Sequence, residues 1–92
     1  MRRRVVLSDN VFAEMVLWSL PRRVVGSAHY YKYRLALVVG GECVLRYDNE
    51  AAKGDHRHTA GREQPYRFTD ADTLIADFLA DVRSFLNEDS AT

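Results

Sequence analysis

Apolar and polar positions along the 92-residue chain change period once, close to residue 70. Before that point apolar residues recur at every second position in short runs; after it they recur every third or fourth, the change from a pleated to a helical repeat. Arg2 to Leu7 reads as a short strand, and Ser8-Asp9-Asn10 as a turn. In Val11 to Leu20 the set Phe12, Val16, Trp18 and Leu20 opposes Ala13, Met15 and Leu17, so both faces are largely apolar and the strand belongs inside a sheet. Pro21, which lacks a ladder donor, ends it. Tyr30 to Val39 alternates most regularly, with Tyr31, Tyr33, Leu35, Leu37 and Val39 on one face. Gly40-Gly41 supplies a two-residue hairpin turn, and Glu42 to Asp48 returns. The return strand divides into Cys43, Leu45 and Tyr47, pointing to the core, against Val44, Arg46 and Asp48.

Asn49 to Gly61 is polar, holds two glycines and has no period, so it is expected as a long loop of the kind that carries function. Arg62 to Phe68 resumes as a strand, with Pro65 placing it at an edge. Thr69-Asp70-Ala71-Asp72 resembles a capping box, and Leu74, Ile75, Phe78, Leu79, Val82, Phe85 and Leu86 define an amphipathic helix with Asp77, Asp81 and Ser84 on its wet side. The expected fold is α+β, one domain over 1–92. It is an antiparallel meander of about five strands (2–7, 11–20, 30–39, 42–48 and 62–68) with a C-terminal amphipathic helix over 71–86 packed on one face.

Composition narrows this without altering it. At 47% hydrophobic and 11% aromatic the chain is globular. A domain of this size buries roughly 60–65% of its unfolded surface, so a partner covering apolar area, another protein or a second copy in a homodimer, would add stability. The single cysteine, Cys43, excludes an internal disulfide and fits a reducing, cytoplasmic setting, with its thiol read as a small buried hydrophobe. Met1-Arg2-Arg3-Arg4 is followed by only three apolar residues, too few for a secretory or membrane segment. Net charge is zero but unevenly spread: residues 1–68 hold twelve Lys/Arg against seven Asp/Glu, and residues 69–92 hold Arg83 against six acids. A body with a surplus of five positive charges suits an anionic partner. P-loop and dinucleotide glycine patterns are absent.

Candidate chemistry concentrates between Arg46 and His58. His56 and His58 flank Arg57. Two imidazoles titrating near neutrality can supply a general base and a general acid together, and in extended backbone the i,i+2 spacing turns both to one side with Arg57 opposite. Arg46, Lys53 and Arg57 are the cations a phosphodiester needs, Asp48 a carboxylate to orient an imidazole, and Tyr66 a ring to stack or donate. His29 reads as a surface or loop residue. His56-x-His58 followed by four residues and then Glu63 also matches a metal-ligand spacing, two imidazoles and a carboxylate, although no second histidine motif follows. Tyr30, Lys32 and Arg34 form a weaker aromatic and basic set facing away from Tyr31 and Tyr33.

The runs Tyr31-Lys32-Tyr33-Arg34-Leu35, Val44-Leu45-Arg46-Tyr47-Asp48-Asn49-Glu50, Lys53-Gly54-Asp55-His56-Arg57-His58 and Pro65-Tyr66-Arg67-Phe68, with Asp77-Phe78 and Val16-Leu17-Trp18-Ser19-Leu20-Pro21, resemble the TumE-type toxin family of prokaryotic toxin–antitoxin pairs. The resemblance spans about Asp9 to Phe85 and implies a growth-inhibiting toxin whose cognate antitoxin carries a helix-turn-helix domain; it assigns no catalytic residue. Joined to the residue reading, it gives the expectation of a metal-independent, cofactor-free endoribonuclease. His56, His58 and Asp48 would be catalytic in it, and Arg46, Lys53, Arg57 and Tyr66 would bind substrate. A non-catalytic module binding nucleic acid or protein, and a small His-x-His metalloenzyme, are the alternatives.

Overall fold

The computed structural model describes residues 1–50, 54–59 and 61–91, the last four as backbone alone. Its strands are β1 (Arg2–Ser8), β2 (Val11–Ser19), β3 (Tyr31–Val39), β4 (Glu42–Asp48), β5 (His56–Thr59) and β6 (Arg62–Pro65), followed by helix α1 (Ala71–Ala91). The strands form one antiparallel sheet in sequence order, β1-β2-β3-β4-β5-β6. The α+β meander with a C-terminal helix is therefore present, with six strands rather than five.

β3 is the most deeply buried strand. Leu35 and Leu37 lie under the helix and Ala36 between them on the other face, all three with no exposed surface. Its β-branched and aromatic residues favour the pleat, and at the turn Gly40 (φ 58°) and Gly41 (φ 80°) adopt the two positive φ values that match the sheet's twist. The core is a single layer. Ala13 and Met15 of β2, Leu35 and Leu37 of β3, and Leu45 and Tyr47 of β4 meet Leu74, Phe78 and Val82 of α1. Asp70 caps the helix, its Oδ1 accepting from the Thr73 backbone N–H at 2.7 Å and its Oδ2 from the Thr73 hydroxyl at 3.0 Å. Full burial of a side chain such as Phe78 contributes roughly 1.5–3 kcal/mol, which explains how so few large residues hold the layer.

Several sequence expectations are corrected. The long loop is interrupted by β5, because His56-Arg57-His58-Thr59 pairs with Leu45 to Asp48 on one side and Arg62 to Pro65 on the other. Polar side chains hid a strand whose backbone is fully laddered. The final strand ends at Pro65 and not at Phe68. Cys43 is exposed. The β3–β4 register shifts between Leu37 and Val38, whose partners are Leu45 and Cys43, and this bulge turns Cys43 from the Leu45 face to the Val38 face. Asp77 and Asp81 are only partly wet: Tyr66 donates to Asp77 at 2.6 Å, and Tyr47 donates to Asp81 across the helix–sheet seam. His29 lies in the loop between β2 and β3, as expected, but its side chain is turned inward and only 15% exposed.

The helix covers one face of the sheet. Among the described residues no helix or strand crosses the opposite face, and that open face carries Arg46 and Asp48 of β4 and His56 and His58 of β5.

Candidate functional site: the open face of β4 and β5

Register alone brings the central residues together. Arg46 lies opposite His58 and Asp48 opposite His56 across β4 and β5, while Tyr47 faces Arg57 on the helix side. One row across the open face runs Arg4, Glu14, Ala36, Arg46, His58, Glu63, and the next runs Arg2, Val16, Arg34, Asp48, His56, Pro65. Cβ atoms of such cross-strand neighbours stand about 4.5–5.5 Å apart, so these side chains contact one another without any special loop geometry. Ala36 is small where the row needs space, lying between Glu14 and Arg46.

Arg46 is the centre of the cluster. Its Nε lies 2.6 Å from Asp48 Oδ2, and its Nη2 lies 3.1 Å from His58 Nε2. The Nε–H is not aimed along the line to the carboxylate, so that contact is an ion pair rather than a linear hydrogen bond. Since a guanidinium only donates, His58 Nε2 is the acceptor and its proton sits on Nδ1. Glu63 Oε1 stands 3.5 Å from His56 Nε2 and 3.9 Å from His58 Nε2. Glu63, and not Asp48, is thus the carboxylate that stands beside both imidazoles. Asp48 serves the arginine instead. A shallow hollow of about 170 Å³, lined by Val44, Arg46, His58 and Gly61 among others, opens beside the pair.

A ligand set of His56, His58 and Glu63 fits a metal poorly. His58 Nε2, the atom that would ligate, already faces Arg46 Nη2, a cation where the metal would sit. Among the described residues no group of three or more His, Cys, Asp and Glu side chains is arranged to hold a metal ion.

Other expected site residues go elsewhere. Arg57 points to the helix side, its Nε 3.1 Å from Asp81 Oδ2. Tyr66 donates to Asp77 and meets Tyr47 edge-on at 5.0 Å between ring centroids. Neither shares a face with the histidine pair. Lys53 lies outside the described residues. A groove of about 450 Å³, lined by Val44, Arg57, Asp81 and Phe85 among others, also lies at the helix–sheet seam. It is the larger concavity, but it has no imidazole and its Arg57 and Asp81 are paired, so the candidate site is the open face.

What aims β5 is a second, buried polar cluster with no local signature in the sequence. The Asp55 carboxylate accepts from Ser27 Oγ at 2.7 Å, from Tyr33 Oη at 2.7 Å and from His29 Nε2 at 2.6 Å. His29 Nδ1 accepts from the Tyr31 backbone N–H at 3.1 Å, which leaves the donated proton on Nε2, and its ring stacks on Phe68 at 3.7 Å. Asn49, fully buried, accepts from the Tyr33 N–H at 3.1 Å and donates to Tyr31 O at 2.7 Å and Ser27 Oγ at 3.3 Å. Gly54 is required there: at φ 89° a Cβ would stand 2.9 Å from the Gly26 carbonyl oxygen. These contacts fix the chain immediately before His56. Burial, then hydrogen bonding to Asp55, pushes the Tyr33 phenol far above its usual value; burial raises Tyr47 and Tyr66 likewise, with Asp81 and Asp77 adding to it.

No curated protein and no solved structure matches the chain. A family model described as Toxin TumE matches residues 1–86, nearly the whole length. The chain that carries this arginine–histidine face therefore belongs to the TumE toxin family.

Proposed function

We propose that the protein is a toxin that cleaves cellular RNA as a metal-independent endoribonuclease, with its centre at Arg46, His56 and His58. The observation that carries this reading is the shared placement of two imidazoles and a guanidinium on one uncovered sheet face, in adjacent register. His58, once Arg46 Nη2 has moved off its Nε2 lone pair, takes the proton from a ribose 2′-hydroxyl. The 2′-oxygen then bonds to phosphorus, and the bond from phosphorus to the 5′-oxygen breaks. His56, protonated and steadied by Glu63, donates the proton that the leaving 5′-oxygen takes up. The products are a 2′,3′-cyclic phosphate and a 5′-hydroxyl. Arg46 neutralises the charge that grows on the phosphoryl oxygens, and Asp48 holds the guanidinium in place. An incoming phosphate also draws Arg46 Nη2 away from His58, which frees the base only when substrate is present.

The match to the TumE toxin family supports the reading as a toxin and, in general, an antitoxin as its partner. A helix-turn-helix antitoxin and action in the cytoplasm complete the proposal. No helix among the described residues is long and apolar enough to cross a membrane.

Purified protein incubated with RNA in excess chelator tests the reaction. Cleavage should persist, leave 5′-hydroxyl ends, and fall by about 10²-fold or more in His56→Ala and in His58→Ala, each still folded by circular dichroism. Activity that disappears with chelator contradicts the metal-independent route. RNA binding without cleavage by the wild type would instead make the face a non-catalytic binding module.

A further inference from the structure

Trp18 is the single tryptophan of the chain, and it is half exposed, at 50% of its surface. An indole combines a large apolar face with a polar N–H, which suits a contact surface. β2 alternation sets it on the open face, the face of Arg46 and His58, with Lys32 directly opposite on β3. Arg34 and Val16 form the next pair along the same strands, and Arg2 lies opposite Val16 on β1. A hollow of about 210 Å³ beside the ring is lined by Val16, Trp18, Lys32, Tyr33 and Glu50. Lys32 thus lies beside the half-exposed ring, and Arg34 and Arg2 lie one same-face position further along. Glu50, the acid there, is 4.0 Å from Arg34 at the limit of an ion pair.

We infer that Trp18 is a stacking platform for a base of single-stranded RNA whose backbone continues across the sheet, over Lys32 and Arg34, to the histidine pair. The inference rests on the reading of the open face as the RNA-cleaving surface. Strands about 4.8 Å apart and a rise of about 3.3 Å per residue put His56 roughly 16 Å from Trp18, three strands over and two residues along. A few nucleotides of extended single strand span that distance. Stacking tolerates any base, because every base has a π face, while phosphates supply the charge that Lys32 and Arg34 complement. A duplex cannot offer an unstacked base to the ring, so single strands are the substrate class this face selects.

Because Trp18 is the only tryptophan, its own fluorescence reports the contact. The probe is a 2′-O-methyl oligoribonucleotide of about ten residues, which lacks the attacking hydroxyl and so binds without being cut. Titration should quench the emission, and the same sequence as a duplex should not. Binding followed by anisotropy should weaken between about five- and a hundredfold in Trp18→Ala, with Trp18→Phe recovering part of the loss and Trp18→Leu little. Arg34→Ala should weaken binding and lower the slope of log affinity against log salt by about one. Unchanged emission at saturation, or a Trp18→Ala protein that binds like the wild type, overturns the inference. So does quenching by the antitoxin with none by the oligonucleotide, which would make Trp18 a protein contact. Cleavage that survives alongside a silent Trp18 removes only this inference; quenching by RNA that the wild type cannot cut removes only the catalytic reading.

Discussion

Asn49 and Asp48 are neighbours with opposite tasks. Asp48 faces the open side and pairs with Arg46, whereas Asn49 is turned inward and ties the chain to β3 through both ends of its amide. The Arg-Tyr-Asp-Asn run therefore reads, residue by residue, as site, core, site and tether. Removing the Asn49 amide leaves the Tyr33 N–H and the Tyr31 carbonyl without these partners in a buried place, and each such orphan costs about 1–3 kcal/mol. Asn49→Ala should accordingly lower the unfolding free energy by about 3 kcal/mol, measured by urea denaturation, a loss set by desolvation and not by size. A change within a few tenths of a kcal/mol would mean that water replaces the amide and that the tether is incidental. Ala36 makes the same point from the open side. A small residue with no exposed surface, it leaves space between Glu14 and Arg46, so the shape of the site depends on a residue with no chemistry of its own.

Among the elements, the β3–β4 hairpin was legible in the sequence because alternation and Gly40-Gly41 agree, and the helix because its apolar spacing and its Asp70 cap agree. β5 was not legible. Its four residues are all partly buried, none is apolar, and what makes them a strand is pairing on both sides, a tertiary effect that no local pattern records. The i,i+2 placement of His56 and His58 was nonetheless correctly conditional on extended backbone, and β5 supplies that backbone. Glu63 entered the sequence reading only as a metal ligand; its place beside both imidazoles depends on β6 pairing with β5. The seam between sheet and helix is held by phenols donating hydrogen bonds to carboxylates: Tyr47 to Asp81, Tyr66 to Asp77, and Tyr33 to Asp55 at the sheet's end. All three phenols are raised above their ordinary value, so the folded state favours the neutral form. Their contribution is complete below the unfolded value near pH 10 and is lost as pH rises beyond it. Thermal stability should fall steeply above about pH 10, and less steeply in a Tyr33→Phe, Tyr47→Phe double variant. A double variant with the wild-type alkaline slope would place the titrating groups elsewhere.

Viewed whole, the molecule is polarised between its two layers. Helix α1 brings Asp72, Asp77 and Asp81 to one side, while on the open face of the sheet Arg2, Arg4, Lys32, Arg34 and Arg46 outnumber Glu14, Asp48 and Glu63. The uneven charge in the sequence thus becomes a separation between layers, and the open face is the one an anion approaches. It is also where the sheet is uncovered, so an antitoxin that sits on this face would hide the histidine pair, the arginine and Trp18 at once. The sequence puts its candidate centre between Arg46 and His58; the fold divides that segment, leaving Arg46, Asp48, His56 and His58 on the face and sending Tyr47 and Arg57 beneath it. The most direct test is inducible expression of the wild type and of His58→Ala in bacterial cells, with sequencing of 5′-hydroxyl RNA ends. The wild type should stop growth and accumulate such ends, and His58→Ala, at equal protein level, should do neither. A His58→Ala protein as toxic as the wild type, with the same RNA ends, would contradict the account.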